Sequence, residues 1–327
     1  MSLRNRLTDT FGITHPIVAA PMDYVSDARL ASAVTQAGGL GLVGGGYGDE
    51  AWLAHQFAAL TAAPVGCGFI TWSLGHQPHL LDHVISHRPA AIFLSFGDPA
   101  PYARTIREAG IPLICQVHDI TQARRAIEVG ADVIAAQGGE AGGHGGGLRS
   151  TFTLVPEIAD LLHATAPDVM LLAAGGITDG RTLAAALALG ADGALVGTRF
   201  WASPEAAVSR AAQNHALAAS GDDTIRQQVY DLIREKSWPP HYTGRVLNND
   251  FLRRWHGHEI HLTHHLPHTR AQFNTALAAE DYQVANIIVG EGIGRITSIA
   301  PVATIITEMV TRATQILAPP EPRQYRP

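Results

Sequence analysis

Short apolar segments alternate with amphipathic segments over residues 16–196. The apolar segments are four to six residues long and are bounded by glycine, proline or polar residues. Such runs are typical of strands buried on both faces of a parallel sheet. The predicted strands are Pro16–Ala20, Leu40–Val43, Val65–Ile70, Ala91–Ser95, Pro112–Val117, Val133–Ala136, Leu171–Ala174 and Gly193–Val196. Amphipathic periodicity predicts helices at Ala28–Ala37, Glu50–Leu60, Tyr102–Ala109, Thr121–Val129 and Arg181–Leu189.

The repeat of strand and helix indicates the fold class. Three predicted helices are followed at once by Gly110, Gly130 or Gly190. Glycine adopts the left-handed conformation of a helix C-cap at the lowest energetic cost. Eight strand–helix units of this length favour an α/β protein with a (β/α)8 TIM barrel. A doubly wound open sheet is the alternative, although it usually has fewer strands and a single reversal point.

The pattern changes after the eighth predicted strand. Residues 203–282 carry Trp238-Pro239-Pro240, a histidine-rich run and several arginines. We predict that this stretch is a mostly helical or irregular insertion that covers the barrel mouth and forms part of the substrate pocket. Residues 1–202 and 283–317 would form the barrel, closed by a helix at Ala300–Leu317. Residues 318–327 would be a proline-rich tail.

Composition narrows the class of protein. The chain of 327 residues is 46% hydrophobic with a net charge of −6, which argues against disorder and against nucleic acid or an anionic membrane as partner. Lys and Arg total 23, and Lys236 is the only lysine. The two cysteines, Cys67 and Cys115, make no disulfide framework, and the sequence shows no signal peptide or membrane-length apolar run. A cytoplasmic protein is therefore expected.

Two glycine-containing turns predict a phosphate site. Ala174, Gly175 and Gly176 follow the seventh predicted strand, and Gly197 and Thr198 follow the eighth. The loops after these strands commonly bind phosphate in TIM barrels, because backbone N–H groups and a helix N-terminus point at the ligand. A pair of tight turns is the plainer alternative.

A third glycine-rich segment carries a candidate catalytic group. Seven of the ten residues from Gly138 to Gly147 are glycine, and His144 is the only histidine among them. Histidine suits proton transfer near neutral pH, although a lone histidine is often structural or simply exposed. After the first strand, Met22 could pack beside an aromatic ring system, or it could be an ordinary core residue.

Two other patterns carry no prediction of a site. The run from Gly39 to Gly44 spells a dinucleotide fingerprint, but it lies across a strand rather than after one. The histidines between His256 and His268 could pair at helical spacing, yet Glu259 is the only acidic residue there. We therefore predict no metal site.

Several motifs, in order, resemble those of the nitronate monooxygenases. They are Ala20-Pro21-Met22, Gln36-Ala37-Gly38-Gly39-Leu40-Gly41, Gln137-Gly138 with Glu140-Ala141-Gly142-Gly143-His144, Ala174-Gly175-Gly176-Ile177 and Gly197-Thr198-Arg199-Phe200. The resemblance covers roughly residues 10–205, with a weaker match at Gly290-Glu291-Gly292-Ile293-Gly294. It implies an FMN-bearing barrel without metal that oxidises alkyl nitronates with O₂ to a carbonyl compound and nitrite.

The resemblance also implies roles for individual residues. His144 would hydrogen-bond the nitronate or remove a proton from a neutral nitroalkane. The FMN phosphate would lie on Gly175, Gly176, Gly197 and Thr198, and the rest of the cofactor would border Ala20, Pro21, Met22, Gly68, Gln116, Gln137, Gly142, Gly143 and Ala174. Two positions depart from the family pattern: Gln116 stands where Lys or His is frequent, and Gly68 where many members have Asn.

Two matters stay open at the level of sequence. An NAD(P)H-dependent FMN reductase acting on quinones or enoyl-ACP is the alternative enzyme, and a flavin-binding protein without turnover is a third reading. The partners would be a small nitronate or nitroalkane and O₂. The physiological substrate and the oligomeric state, for which a homodimer is one option, are not predicted.

Overall fold

Parallel strands form the larger of two sheets in the computed structural model, which describes residues 3–318. The strands are β1 (Ile17–Ala19), β2 (Gly41–Gly44), β3 (Val65–Ile70), β4 (Ile92–Ser95), β5 (Leu113–Val117), β6 (Val133–Gln137), β7 (Gly143–Gly145), β8 (Met170–Ala174), β9 (Gly193–Val196), β10 (Thr224–Gln227) and β11 (Thr243–Leu247). The eight-stranded sheet has the order β1-β9-β8-β6-β5-β4-β3-β2, and β10-β11-β7 form a second, antiparallel sheet.

The large sheet closes on itself. A parallel bridge between Val18 and Leu40 links its two edge strands, β1 and β2. The (β/α)8 prediction is therefore confirmed, and the open doubly wound sheet is not the fold. Each of the eight predicted strands is present, with ends within one residue of the prediction.

Helices surround the barrel and build the insertion. Those before β9 are α1 (Arg6–Phe11), α2 (Ala28–Gln36), α3 (Glu50–Ala59), α4 (Thr71–Leu74), α5 (His79–Ser86), α6 (Ala100–Glu108), α7 (Ile120–Glu128), α8 (Thr151–Thr165) and α9 (Gly180–Ala188). Those after it are α10 (Thr198–Trp201), α11 (Arg210–Leu217), α12 (Val229–Ile233), α13 (Asp250–Trp255), α14 (Glu259–Thr263), α15 (Leu266–Ala278) and α16 (Val302–Leu317), with 3-10 turns at Gly221–Asp223 and Glu291–Arg295. Helices occur at all six predicted positions, whereas α1, α4, α5, α8 and α10 of the barrel were not predicted.

Alternate strand residues build two apolar layers, as expected for strands buried on both faces. One layer fills the barrel and includes Val18, Phe93 and Leu172. Leu7 and Phe11 of α1 belong to the same cluster, and they close the amino-terminal end of the barrel. The other layer lies between the strands and the surrounding helices, and α16 packs against α9 and α2. The carboxyl ends of the strands border a cavity.

The segment 203–282 contains strands as well as helices. It has its own apolar cluster, which includes Tyr230, Phe251 and Phe273. Its strands β10 and β11 pair with each other, and β11 also pairs with β7, the part of the glycine-rich segment that carries His144. The sequence did not predict these strands, because Thr224–Gln227 is largely polar and Thr243–Leu247 contains glycine and arginine. Of the predicted tail, residues 319–327 lie outside the described residues.

Two expectations about the chain can be compared with the structure. Cys67 and Cys115 are both buried and unpaired, in β3 and β5. Within residues 3–318, no helix combines the length and the apolar character needed to cross a bilayer.

Gly41 at the start of β2 allows the closest approach of α2 to the barrel. A Cβ at this position would lie 2.0 Å from the carbonyl oxygen of Ala31. We therefore expect Gly41→Ala to lower the free energy of unfolding by about 2–3 kcal/mol, as overpacking against rigid backbone does. Urea denaturation measures the change. Gly75→Ala is the control, because the atom nearest to a Cβ on Gly75 would be the carbonyl oxygen of Trp72, 3.3 Å away. Equal denaturation midpoints for the two variants would contradict the prediction.

Candidate active site

A cavity of about 310 Å³ lies at the carboxyl ends of the barrel strands. Every residue proposed from the sequence to bind the cofactor or to act in catalysis lines it: Ala20, Pro21, Met22, Gly68, Gln116, Gln137, Gly142, Gly143, His144, Ala174, Gly175, Gly176, Gly197 and Thr198. They come from connections that are distant in sequence, and the barrel brings them together. Their proximity is observed, while their individual roles remain predictions.

The turns after β8 and β9 present unpaired hydrogen-bond donors. Gly175 and Gly176 have φ values of 109° and 70°, a conformation that favours glycine. Among the described residues, the N–H groups of Gly176, Ile177 and Thr198 donate no hydrogen bond. The hydroxyl of Thr178 is also buried without a partner and lines the cavity. Such a set of orphaned donors fits a phosphate group.

Side-chain hydrogen bonds fix these turns in place. The Glu140 carboxylate accepts the backbone N–H of Thr151 at 2.9 Å, at the start of α8. The Thr151 hydroxyl in turn donates to the carbonyl of Ala174 at 2.9 Å. On the other turn, the N–H of Gly290 donates to the Thr198 hydroxyl at 2.9 Å. Glu140 and Thr151 therefore hold the glycine-rich segment against the turn after β8.

The chain returns to the cavity at Gly290 and Gly292. A Cβ on Gly290 would lie 2.7 Å from the Glu140 carbonyl oxygen, and one on Gly292 would lie 2.5 Å from the Thr178 side chain. Both residues line the cavity but were not among the predicted site residues. The glycine run from Gly290 to Gly294 was the available signal, because closely packed backbone needs residues without side chains.

Polar side chains at the ends of β5 and β6 are bonded to one another. The Gln116 amide donates to Gln137 Oε1 at 3.2 Å, and His118 Nε2 lies 2.8 Å from the same oxygen. Burial lowers the pKa of His118, which favours a neutral ring. Phe96 stacks on that ring, with centroids 5.8 Å apart. The position of Gln116 thus carries no cation, and the neighbouring histidine does not replace one.

Packing accounts for glycine at position 68. A Cβ there would lie 2.4 Å from both Cβ and Cγ of Pro21. The ring of Pro21 thus occupies the space that a side chain on β3 would need. An Asn at position 68 would require Pro21 to move. The observed position of the Pro21 ring therefore requires a residue without a side chain at position 68.

His144 is held on three sides. Its backbone in β7 pairs with Gly244 of β11. Its Nε2 lies 3.0 Å from each carboxylate oxygen of Asp231, and both side chains are largely buried, at 11% and 7% exposure. The ring lies parallel to Trp238, with centroids 3.5 Å apart and planes 5° apart.

This arrangement assigns different tasks to the two ring nitrogens. Nε2 faces an acceptor-only carboxylate and therefore carries a proton. In the described part of the chain, Nδ1 has no hydrogen-bond partner, and the residue lines the cavity. In the neutral ring, Nδ1 is then the basic nitrogen available to a ligand.

Asp231 and Trp238 were missed by sequence reasoning. Asp231 lies 87 residues from His144 along the chain, so no local motif connects them. The Trp238-Pro239-Pro240 segment was noted only as a break in the pattern. Trp238 also packs on Phe96 at 5.0 Å and donates its indole N–H to the Tyr47 hydroxyl at 2.9 Å. These rings form an apolar wall beside His144.

The histidine-rich segment stands apart from the cavity. Its members all have exposed side chains: His256, His258, His261, His264, His265 and His268. None lines the cavity. Over residues 3–318, no group of three or more His, Cys, Asp or Glu side chains is placed to hold a metal ion.

Comparisons with known proteins place this chain in a family. A family model described as nitronate monooxygenase matches residues 4–73 and 69–312. Nitronate monooxygenase npaC of Metarhizium robertsii is 36% identical over 272 residues, which are 74% of each chain. The (3aS,4S,5R,7aS)-5-hydroxy-7a-methyl-1-oxo-octahydro-1H-indene-4-carboxyl-CoA dehydrogenase of Rhodococcus jostii is 32% identical, over 77% of this chain and 67% of its own.

Solved structures show the same likeness in three dimensions. FabK from Thermotoga maritima superposes with a TM-score of 0.84 and 30% identity, covering 96% of this chain and 97% of its own. Nitroalkane oxidase from Streptomyces ansochromogenes superposes with a TM-score of 0.77 and 25% identity, covering 95% and 98%. With a family model matched over nearly the whole length and the predicted residues gathered in one cavity, the chain belongs to the nitronate monooxygenase family of oxidoreductases.

Proposed function

We propose that the protein is an FMN-dependent enzyme that oxidises alkyl nitronates with O₂ to a carbonyl compound and nitrite. The observation that carries this proposal is the placement of His144, oriented by Asp231 and Trp238, in the same cavity as the two donor-rich turns. Family membership supports the reaction class.

The residues present fit the cofactor. Gly175, Gly176, Gly197 and Thr198 would hold the phosphate, supported by the orphaned donors of Ile177 and Thr178. The remaining cavity residues would border the ring and the ribityl chain: Ala20, Pro21, Met22, Gly68, Gln116, Gln137, Gly142, Gly143 and Ala174. FMN, when bound, would supply the electron transfer between substrate and O₂.

The protein's own contribution would be orientation and proton transfer. With a neutral nitroalkane, His144 Nδ1 would accept the proton from the carbon beside the nitro group, leaving the nitronate. Asp231 would stabilise the imidazolium that forms, because its carboxylate already accepts from Nε2. With a preformed nitronate, no proton is removed from carbon, and His144 would act by positioning the anion. The rings of Trp238 and Phe96 would exclude water beside this group.

An NAD(P)H-dependent FMN reductase is the second candidate. The observation that favours it is the superposition on FabK, whose TM-score of 0.84 exceeds the 0.77 for nitroalkane oxidase.

Anaerobic reduction distinguishes the two candidates. The purified protein should be yellow, and ethylnitronate added without O₂ should bleach its visible absorbance, whereas NADH should not. Admitting O₂ should restore the colour and release nitrite. Rapid bleaching by NADH or NADPH alone would favour the reductase, and a yellow protein that responds to neither donor would reject both enzymes.

His144 and Asp231 should act as a pair in proton transfer. His144→Ala should retain the flavin and lose about 10²–10⁴-fold in turnover, most strongly with neutral nitroalkanes. Asp231→Asn should lose at least about tenfold, because an amide does not fix the proton on Nε2. Steady-state rates with a nitroalkane and its nitronate measure both effects.

Asp250→Asn is the control, since Asp250 is exposed and pairs only with Arg253. Full activity of His144→Ala would refute the proposed role of His144 in proton transfer.

Gly176 should be needed for cofactor retention. Valine is disfavoured at its φ of 70°, so Gly176→Val should displace the N–H groups of the turn and lose most of the flavin. The ratio of absorbance at the flavin band to protein absorbance measures the loss. Gly12→Val is the matched control, because Gly12 has a φ of 63° with no atom near its Cβ and lies after α1. A fully yellow Gly176→Val protein would contradict the phosphate assignment.

A further inference from the structure

We propose that Tyr47 is a further catalytic residue, whose hydroxyl donates a hydrogen bond to an oxygen of the reacting nitro or nitronate group. The inference deepens the proposed function and rests on it in one respect, namely that the reacting carbon lies beside His144. It assigns the stabilisation of negative charge on oxygen to a residue outside both the glycine-rich segment and the cofactor turns.

The Tyr47 hydroxyl has a proton without an acceptor. Tyr47 is half-buried, follows β2 and lines the cavity. Its oxygen accepts the indole N–H of Trp238 at 2.9 Å, which leaves the phenolic proton available to a different partner. Within residues 3–318, no acceptor takes that proton. Hydroxyl groups shielded from water normally have an acceptor, and an oxygen of a bound ligand would supply one here.

The hydroxyl is protonated at neutral pH. Burial is the main cause that raises the pKa of Tyr47 to about 12. The negative charges of Asp23 and Asp231 act on this pKa in the same direction, while Arg234 and the hydrogen bond from Trp238 act against it. A neutral phenol donates a hydrogen bond, whereas a phenolate does not. Tyr47 is therefore suited to stabilise an anion rather than to remove a proton.

Packing fixes the position of the phenol ring. Trp72 and Trp238 pack edge-on against it, with ring centroids 6.0 Å and 6.1 Å away. Lys236 Nζ lies 4.1 Å from the Tyr47 ring centroid. The backbone carbonyl of Tyr47 accepts the Ser73 hydroxyl at 2.9 Å. A donor held in this way can stabilise charge as it develops, without first reorganising.

One indole connects Tyr47 with His144. The Trp238 ring lies parallel to the His144 ring, with centroids 3.5 Å apart, and its N–H bonds the Tyr47 hydroxyl. Asp231, which is bonded to His144, is also close enough to act on the Tyr47 pKa. Because a nitro group carries two oxygens beside the reacting carbon, a molecule whose carbon meets His144 would present an oxygen to Tyr47.

The hydroxyl would act differently on a nitroalkane and on a nitronate. When His144 Nδ1 takes the proton from carbon, the electron pair of the C–H bond forms the C=N bond, and negative charge moves onto the nitro oxygens. Tyr47 would donate to that charge as it develops and keep its own proton, which lowers the barrier. A preformed nitronate already carries the charge, so the same hydrogen bond would stabilise its bound ground state.

Tyr47→Phe should therefore change different kinetic constants for the two substrates. With nitroethane, kcat should fall by about 10²–10³-fold, the loss typical of one missing oxyanion donor. With ethylnitronate, KM should rise by about tenfold and kcat should be retained, because the bond is made before the reaction. Steady-state rates measure both effects, and the ratio of flavin to protein absorbance checks that the cofactor is retained. Tyr102→Phe is the matched control, since Tyr102 is half-buried on α6 and lies outside the cavity lining.

A second variant separates donation to the ligand from support of Trp238. Tyr47→3-fluorotyrosine makes the hydroxyl more acidic, and thus a stronger donor and a weaker acceptor. At neutral pH, KM for ethylnitronate should decrease from Tyr47→Phe to wild type and again to Tyr47→3-fluorotyrosine. Support of the Trp238 indole alone would give the fluorinated variant a KM equal to or above that of wild type. That result, or a wild-type KM in Tyr47→Phe, would overturn the proposal.

Binding without turnover separates this proposal from the proposed reaction. Nitrate is a planar anion with oxygens on nitrogen, and it cannot be oxidised as a nitronate is. In the purified protein with its bound cofactor, nitrate should perturb the flavin absorbance saturably. Tyr47→Phe should weaken this binding by about tenfold, and Tyr102→Phe should leave it unchanged.

The outcomes of the two experiments can be told apart. Weaker nitrate binding by Tyr47→Phe, in a protein that oxidises neither nitroethane nor ethylnitronate, would uphold the donor and reject the reaction. Oxidation of both substrates with the same constants in wild type and Tyr47→Phe would uphold the reaction and reject the role of Tyr47. No saturable binding of nitrate, or equal binding by wild type and Tyr47→Phe, would also overturn the proposal.

Discussion

The pairing of β7 with β11 is the contact on which the proposed site depends. Three residues of a glycine-rich segment would leave many backbone groups unpaired and free to move. The antiparallel pairing of Gly143–Gly145 with Thr243–Arg245 turns them into a strand of fixed direction. His144 is then presented to Asp231, which lies in α12 directly after β10 of the same sheet. Without this pairing, the ring would have no fixed direction toward its carboxylate partner.

The cavity gathers positive potential in two different ways. At the turns after β8 and β9, it comes from backbone N–H groups, which need glycine and helix starts but no charged side chain. Beside Tyr47, a cationic side chain of the insertion, Arg234, joins the lining together with the carboxylate of Asp23. The whole chain carries a net charge of −6, so the net charge does not determine the electrostatic potential inside the site.

Much of the barrel could be predicted because its signals are local. Strands such as Val65–Ile70 are short apolar runs followed by turn residues, and their burial on both faces leaves a continuous pattern. The donor-rich turn at Gly175 and Gly176 could be located for the same reason. The strand Thr224–Gln227 escaped prediction because it lies in a small, half-exposed sheet where burial is partial. The hydrogen bond between His144 and Asp231 arises from tertiary structure, and neither local sequence contains a motif that predicts it.

The barrel and the insertion contribute different kinds of residue to the candidate site. The barrel connections supply the turns proposed to hold the cofactor, while the segment 203–282 supplies Arg234 and Trp238 to the cavity lining and Asp231 as the partner of His144. Asp231 and Arg234 belong to a single short stretch at α12, only three residues apart. A shift of α12 would therefore move both residues together. A different insertion would thus change both the partner of His144 and a cationic residue of the cavity lining, whereas the turns after β8 and β9 belong to the barrel and would be left unchanged.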